Sequence, residues 1–199
     1  MTHNREIALR GIIDAQGGFF TLKQACEIGF SKDEVASHTR LRKWIQELDE
    51  VFRLPRYRYG YRADLIPSYL WVKERSGPVL PVFSHHTALE VYELIDLLPM
   101  YTHITLNTGA PRLHKVCYGI VLHYEELPPA DIQHIEWLPL TTLKRTIIDL
   151  AREGRLSFDI IQVVYQRALE NKFIESKDEL LAHFLVQKNP QLYKVLSEL

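Results

Sequence analysis

Apolar residues recur at roughly helical spacing at the N-terminal end of the chain. They predict a first helix from Asn4 to Ala15, which the pair Gly17-Gly18 ends. A second helix, residues 21–28, starts directly afterwards. Its start is marked by Thr21 and Gln24, which form the Thr-x-x-Gln pattern of a capping box, in which each side chain bonds the other residue's backbone N–H.

The same device marks a third helix. Ser31 and Glu34 form the pattern Ser-x-x-Glu, and Gly29 lies between the two helix signals, where a left-handed residue commonly ends a helix. The pattern predicts a helix, a tight turn and a further helix from Ser31 to about Lys43. Three residues of this region are expected in the core: Val35, Leu41 and Trp44.

Two short apolar runs follow, Trp44–Leu48 and Val51–Leu54, with Asp49-Glu50 as a two-residue turn between them. They predict a hairpin. A helix-turn-helix followed by a hairpin is a winged helix, and a winged helix usually binds DNA. The pattern therefore predicts a winged helix-turn-helix DNA-binding domain at residues 1–62.

Arginines and tyrosines alternate along Pro55–Arg62. In a strand, this alternation would place the arginines on one face and the tyrosines on the other. Two interpretations are open: a half-buried strand with a charged outer face, or arginines that contact the phosphate backbone. His38 is open in the same way, between a packed or solvated residue and one that contacts bases.

The pattern of predicted elements changes after residue 62. A fourth helix is expected at Ala63–Arg75, so residues 63–80 form a connecting helix and linker, and residues 81–199 form a second, mixed α and β domain. The elements expected there are an N-capped helix from Ser84 to about Leu94, β-like runs at His103–Asn107, Tyr118–Tyr124 and Ile132–Trp137, and helices that start after Thr141 or Thr142, Ser157, Ser176 and Pro190. The predicted fold class is α+β with C-terminal helices.

Composition places the chain among ordinary globular proteins. Of its 199 residues, 46% are hydrophobic and 25% are charged, which is enough apolar surface to bury a core. The two cysteines, Cys26 and Cys117, make neither a disulfide framework nor a metal-site pattern, so we expect a reducing, cytoplasmic location. No run approaches the roughly 18 apolar residues of a membrane span, and the N-terminus lacks a signal-peptide core, so no membrane partner is expected.

The net charge of −1 hides an uneven distribution. Residues 1–62 hold 11 Lys/Arg against 8 Asp/Glu, and residues 40–62 alone hold seven basic against three acidic. A local positive patch attracts phosphate, although a solvated face that balances charge elsewhere is the alternative interpretation. Residues on one side of the third helix, with others near the helix starts and the hairpin, are expected to contact double-stranded DNA: Thr21, Lys23, Ser31, Lys32, Ser37, Arg40, Arg42, Lys43, Arg53, Arg56 and Arg58.

Short motifs follow one another in order between residues 5 and 175. They are Gly17–Thr21 with Gln24-Ala25 and Ile28–Ser31, the hairpin Lys43–Leu48 with Val51–Leu54, the helix start Phe83–Leu89, the strand His103–Leu106, and the strand-to-helix segment Leu138–Thr146 with Asp149-Leu150. In this order they resemble the abortive-infection type IV antitoxin family, the AbiEi-like transcriptional regulators.

The resemblance implies a concrete function. Proteins of this family pair with a nucleotidyltransferase-like toxin. Their N-terminal winged helix represses the shared promoter by binding inverted repeats, and their C-terminal domain counters the toxin without needing a stable complex. An orphan DNA-binding regulator, or a protein-interaction adaptor without a toxin partner, is the alternative that we keep open.

This chain departs from the family pattern in two places. At the wing tip, Asp49-Glu50 stand where the family usually carries a basic residue and a glycine. Two carboxylates would repel phosphate, so we assign the wing's DNA contacts to Arg53 and the arginines after it. His85-His86 doubles the family's usual histidine, and the sequence assigns the doubling no role.

The second domain shows no pattern that indicates catalysis. Its histidines follow no metal-site spacing, and no converging carboxylates or glycine-rich phosphate loop accompany them: His85, His86, His103, His114, His123 and His134. We therefore expect structural histidines, no metal, no cofactor and no catalytic residue. Lys144 and Arg145, at a helix start, are a candidate contact for an anion or the toxin, with a capped and solvated first turn as the alternative.

Overall fold

The structure, a computed structural model, describes residues 2–94, 100–153 and 158–173. In this part of the chain it contains seven α-helices and two β-sheets, which confirms the mixed α+β class. None of the described helices has the length and apolar character needed to cross a bilayer. The chain divides into two units: a first unit of Met1–Pro81 with Gly109–Tyr118, and a second unit of Val82–Thr108 with Gly119–Leu199.

The first unit combines four helices with a small sheet. Its elements in chain order are α1 (Thr2–Ala15), β1 (Phe19–Thr21), α2 (Leu22–Glu27), α3 (Lys32–Arg40), β2 (Ile45–Leu48), β3 (Val51–Arg53) and α4 (Ile66–Arg75). The strands form an antiparallel sheet in the order β1-β3-β2. The predicted hairpin is therefore present, joined by a strand, β1, that the sequence pattern did not indicate.

Both predicted capping boxes are present in the first unit. The Thr21 hydroxyl accepts from the Gln24 backbone N–H at 3.2 Å, and the Gln24 carboxamide oxygen accepts from the Thr21 N–H at 2.9 Å. Ser31 and Glu34 make the same two bonds at 3.1 and 2.8 Å. Gly29, with a φ of 99°, occupies the left-handed position expected between the two helices.

The third helix is shorter than predicted. It ends at Arg40, because Leu41 caps it and Arg42 turns the chain at a left-handed φ of 55°. Lys43 consequently lies beyond the helix. The prediction that Leu41 belongs to the core is wrong: as the cap of α3 it points outward and is 61% exposed.

An aromatic cluster forms the core of the first unit. Trp44 meets Phe20 and Phe30 edge-on, with ring centroids 5.0 and 5.3 Å apart, and Phe52 stacks on Phe20 at 5.7 Å. Val35 of α3 is buried in the same cluster, which confirms the core positions predicted for Val35 and Trp44. These apolar contacts hold α3 against the sheet, because Phe20 and Phe52 belong to its strands.

The second unit is built on a five-stranded mixed sheet. Its elements are β4 (Val82–Phe83), α5 (His85–Val91), β5 (Thr102–Asn107), β6 (Ile120–Glu125), β7 (Ile132–Ile135), β8 (Leu138–Thr141), α6 (Leu143–Glu153) and α7 (Phe158–Glu170). The strand order is β6-β5-β4-β8-β7, with β5 parallel to β6 and β4 parallel to β8. The predicted caps and helix starts at Ser157, Ser176 and Pro190 lie outside the described residues.

The core of the second unit is partly polar. Apolar side chains such as Phe83, Ile104 and Leu140 are fully buried, but several hydroxyls are buried beside them. The Thr105 hydroxyl donates to the Ser84 hydroxyl at 2.8 Å. Buried hydroxyls persist where they find partners, so this unit carries hydrogen-bonded polar groups inside its core.

Candidate nucleic-acid interface and histidine cluster

Four cations form an exposed group at α3 and the turn after it: Lys32, Arg40, Arg42 and Lys43. Within the described part of the chain, none of the four takes part in an ion pair. The capping box of Ser31 and the core contacts of Val35 fix the helix that carries Lys32 and Arg40. These four residues, called the α3 cations below, are available to an external anion, and the helix fixes the backbone of Lys32 and Arg40.

Several other residues predicted to contact DNA instead form contacts within the first unit. Thr21 is fully buried, caps α2 and donates its hydroxyl to Glu74, so its predicted DNA contact is contradicted by burial. The Ser31 hydroxyl is used as the cap of α3. Lys23 is exposed and lies 3.9 Å from Glu27 one helical turn away, and Ser37 is half-buried.

Arg53 does not extend freely from the wing. Its guanidinium pairs with Glu47 of the neighbouring strand and donates to the Tyr59 hydroxyl at 3.1 Å. The hydrogen bond to Glu47 raises the pKa of Arg53, although its burial acts in the opposite direction. A phosphate contact by Arg53 would compete with this carboxylate, so the predicted wing contact is weakened there.

The acidic wing tip is held by a cation of its own unit. Glu50 lies 2.6 Å from Arg75 at the end of α4, and Asp49 lies 3.8 Å from the same guanidinium. Arg75 also lies over the ring of Trp71, 4.2 Å from its centroid. The two carboxylates that are unfavourable for a DNA-binding wing are thus paired with α4.

The alternating segment after the hairpin is not a strand, so that interpretation is wrong. Tyr57 and Tyr59 nevertheless turn toward the unit: Tyr57 donates to Asp14 at 3.0 Å, and Tyr59 donates to a backbone carbonyl at 2.9 Å. Arg56 and Arg58 are exposed. Arg56 has a left-handed φ of 60°, so the segment turns, and the expected separation of arginines from tyrosines is incomplete because Tyr59 and Tyr61 are also exposed.

Two neighbouring hollows lie between this segment and the turn after α3. One is lined by Arg10, Arg56 and Arg58, and the other by Arg10, Lys43 and the acidic residue Glu6. Arg10 is itself paired with Asp14 at 3.0 Å. Because both hollows share Arg10, the cations on either side of it are neighbours. Arg10 was not among the predicted contacts; its only sequence signal is an exposed position on the first helix.

His38 is a packed residue. Its ring lies 4.4 Å from that of Trp44, with an angle of 34° between the planes, and 6.1 Å from that of Phe30. The side chain is half-buried. This placement favours the packing interpretation over base contact.

A second cluster lies inside the second unit, where three histidines meet. In the β5–β6 pairing, Thr105 lies opposite His123, so His103 and His123 share one face of the sheet. His103 Nδ1 is 3.0 Å from His123 Nε2, and the ring of His85, the first residue of α5, stacks on that of His123 at 3.7 Å. The expectation of scattered histidines is therefore corrected: these three form one cluster, with His86 beside it.

Glu153 at the end of α6 completes this histidine cluster. Its Oε1 lies 3.2 Å from His123 Nδ1 and 3.6 Å from His85 Nε2. Burial, followed by the proximity of the other histidines, lowers the pKa of His85 to about 2. His85 is thus neutral near neutral pH and keeps a lone pair on one ring nitrogen.

Arg145 is the centre of an ion cluster in which it and Asp149 are buried, whereas Asp131 and Glu125 are half-buried. Its guanidinium lies 2.8 Å from Asp149, 3.2 Å from Asp131 and 2.6 Å from Glu125. Burial raises the pKa of Asp149 to about 6, which the charge of Arg145 only partly opposes. The predicted anion or toxin contact of Arg145 is contradicted by this engagement with three carboxylates, whereas Lys144 is half-exposed.

Sequence reasoning missed the histidine cluster because its members are far apart in the chain. The available signal was that His103 and His123 each lie in a β-like run, but the register that aligns them is not local information. No protein-family model matches this chain, and no curated protein matches it. Function is therefore inferred from the geometry and from the resemblance described above.

Proposed function

We propose that the first unit is a winged helix that binds double-stranded DNA, with α3 entering the major groove. The element order, a helix-turn-helix followed by an antiparallel hairpin, supports this proposal. The observation that carries it is the group of exposed α3 cations without ion-pair partners among the described residues. Cations of this kind release counterions from DNA when they bind phosphates.

The surface beyond α3 supports backbone contacts on the same duplex. Arg10, Arg56 and Arg58 line one hollow, and Lys43 lines the hollow next to it. We assign the phosphate contacts flanking the groove to these residues. The tip residues Asp49 and Glu50, being paired with Arg75, take no direct part.

The wider role rests on the resemblance to the type IV antitoxins. The chain would repress its own toxin–antitoxin promoter by binding inverted repeats, as two copies on one operator, because inverted repeats match a two-fold arrangement. The second unit would counter a nucleotidyltransferase-like toxin without forming a stable complex and without catalysis. Such a regulator would act in the cytoplasm. An orphan regulator with the same DNA-binding unit is the second candidate, favoured by the same α3 cations.

The DNA-binding proposal is tested with Arg40→Ala combined with Lys43→Ala. We expect affinity for the DNA upstream of the gene to fall roughly tenfold or more. The slope of log K against log salt should become less steep by about 1.8, which is about 0.9 for each phosphate that the variant no longer neutralises. The measurement is a fluorescence-anisotropy titration at several salt concentrations.

A charge-matched control distinguishes the effect of losing two of the α3 cations from the effect of losing any two positive charges. Lys73→Ala with Lys172→Ala also removes two positive charges, one from α4 and one from the turn after α7. This variant should keep both affinity and salt slope. Equal weakening by the two double variants would show that α3 is not the recognition element.

The antitoxin role is tested by searching the adjacent genes for a nucleotidyltransferase-like toxin and co-expressing that toxin with this chain; absence of such a gene would favour the orphan regulator. The full chain should restore growth, and the Arg40→Ala/Lys43→Ala variant should restore it equally while failing to repress a promoter–reporter fusion. Growth that stays arrested with the full chain present would favour the orphan regulator.

A further inference from the structure

Three histidines and a glutamate meet inside the second unit, at positions that DNA binding does not use. We propose that His85, His103 and His123 bind a divalent transition-metal ion of the zinc class. The site belongs to the second unit alone, so its failure would leave the DNA-binding proposal untouched.

The nitrogens of these three rings are close enough to share an ion. One nitrogen from each ring can be chosen so that all three lie within 4.8 Å of one another. His103 Nδ1 and His123 Nε2 are already 3.0 Å apart, whereas two nitrogens on a tetrahedral Zn²⁺ lie roughly 3.3 Å apart, given bonds of about 2.0–2.1 Å. The ring of His85 stacks on that of His123 in this structure, and it would turn to bring its nitrogen to the same ion.

The remaining ring nitrogens of two of these histidines have oxygen partners. His85 Nδ1 lies 2.9 Å from the Ser84 hydroxyl, and His123 Nδ1 lies 3.2 Å from the Glu153 carboxylate. A histidine that binds a metal usually donates its other N–H to such an oxygen, which fixes the tautomer and the ring orientation. Ser84 and Glu153 are therefore positioning residues for the proposed ligands.

His85 provides independent evidence for a ligand. Its Nε2 is buried and has no hydrogen-bond partner among the residues that the structure describes. Its φ of 51° is a conformation that a non-glycine residue rarely adopts, and such backbone strain clusters at functional sites. A metal ion would satisfy this nitrogen and give a reason for the strained start of α5.

The donor set selects the type of ion. Imidazole nitrogens favour zinc and its transition-metal neighbours over magnesium or calcium, which prefer oxygen. Three histidines leave a fourth tetrahedral position, which a water molecule would fill. Because the ligands come from α5, β5 and β6, the ion would join these three elements and stabilise the second unit.

The test uses the full chain after dialysis against a chelator. We expect one equivalent of Zn²⁺ to bind in a calorimetric titration, the melting temperature to rise, and Co²⁺ to give the intense visible absorption of a four-coordinate site. His103→Ala should lower Zn²⁺ affinity at least a hundredfold. Glu153→Gln should still bind one ion, about 10–100-fold more weakly, because it positions a ligand rather than supplying an essential one.

Two control variants exclude other donors. His114→Ala removes an exposed histidine, and Cys26→Ser with Cys117→Ser removes both thiols; both should bind as the unaltered chain does. If His103→Ala fails to fold, judged by circular dichroism, the Co²⁺ spectrum of the unaltered chain decides. Absence of tetrahedral Co²⁺ absorption, or undiminished Zn²⁺ binding in a folded His103→Ala chain, would overturn the proposed site.

Discussion

The two units of this chain treat charge in opposite ways. In the first unit, aromatic residues around Trp44 fill the core, and the α3 cations face outward. In the second unit, Arg145 and Asp149 are buried together, and His85 is fully buried in the histidine cluster. Burying charged or polar groups is costly unless they are paired, so the second unit must depend on its internal partners far more than the first.

The largest expected effect comes from breaking the ion cluster around Arg145. Arg145→Ala leaves Asp149 buried with only the more distant Arg152, 3.7 Å away, as its cation among the described residues, and we expect the second unit to lose about 3–5 kcal/mol of stability. Peptide-resolved hydrogen exchange measures the loss in each unit separately. The matched control is Arg10→Ala, whose pair with Asp14 is exposed to solvent and should therefore contribute little. Similar losses in the two variants would remove the contrast between the units.

A pH titration tests the same cluster without removing its cation. Because burial raises the pKa of Asp149 from 3.8 to about 6, the folded second unit holds a proton that the unfolded chain releases. Its free energy of unfolding should therefore fall as pH rises from about 4 to about 6, by up to about 3 kcal/mol from this group. In Asp149→Asn this part of the pH dependence should vanish; an unchanged profile would assign it to another residue.

The difference between the two units also explains which of their features could be predicted from the sequence. The capping boxes at Thr21 and Ser31 are local, with partners three residues apart, and the structure confirms both. The histidine cluster depends on the register between β5 and β6, which no local pattern specifies. The residue pattern did not indicate strand β8, and only the family resemblance did. This strand lies between β4 and β7 and contains Pro139, and proline is unusual in a central strand because it has no backbone N–H to donate. Features whose partners lie close together in the sequence were thus easier to predict than the polar interior of the second unit.

A smaller effect is expected where the first unit depends on a local cap. Ser31→Ala removes the hydroxyl that caps α3 and should cost about 1 kcal/mol, measured by urea unfolding. Hydrogen bonds from Arg5 and from the Ser31 backbone lower the pKa of Glu34 to about 2, so the acidic half of the box should persist until pH falls through that value. Ser37→Ala, within the same helix, is the control and should change stability much less.

The smallest change in the free energy of unfolding is expected when two of the α3 cations are removed, and it gives the clearest contrast with the second unit. Arg40→Ala with Lys43→Ala removes exposed cations that have no ion-pair partners in the described chain, so unfolding should change by no more than about 0.5 kcal/mol. The same variant is expected to bind DNA roughly tenfold or more weakly. Stability and binding are thus separable on the first unit, whereas removing Arg145 is expected to affect stability directly. A loss of several kcal/mol in the α3 double variant would mean that these cations support the fold, and its weakened DNA binding would then reflect unfolding.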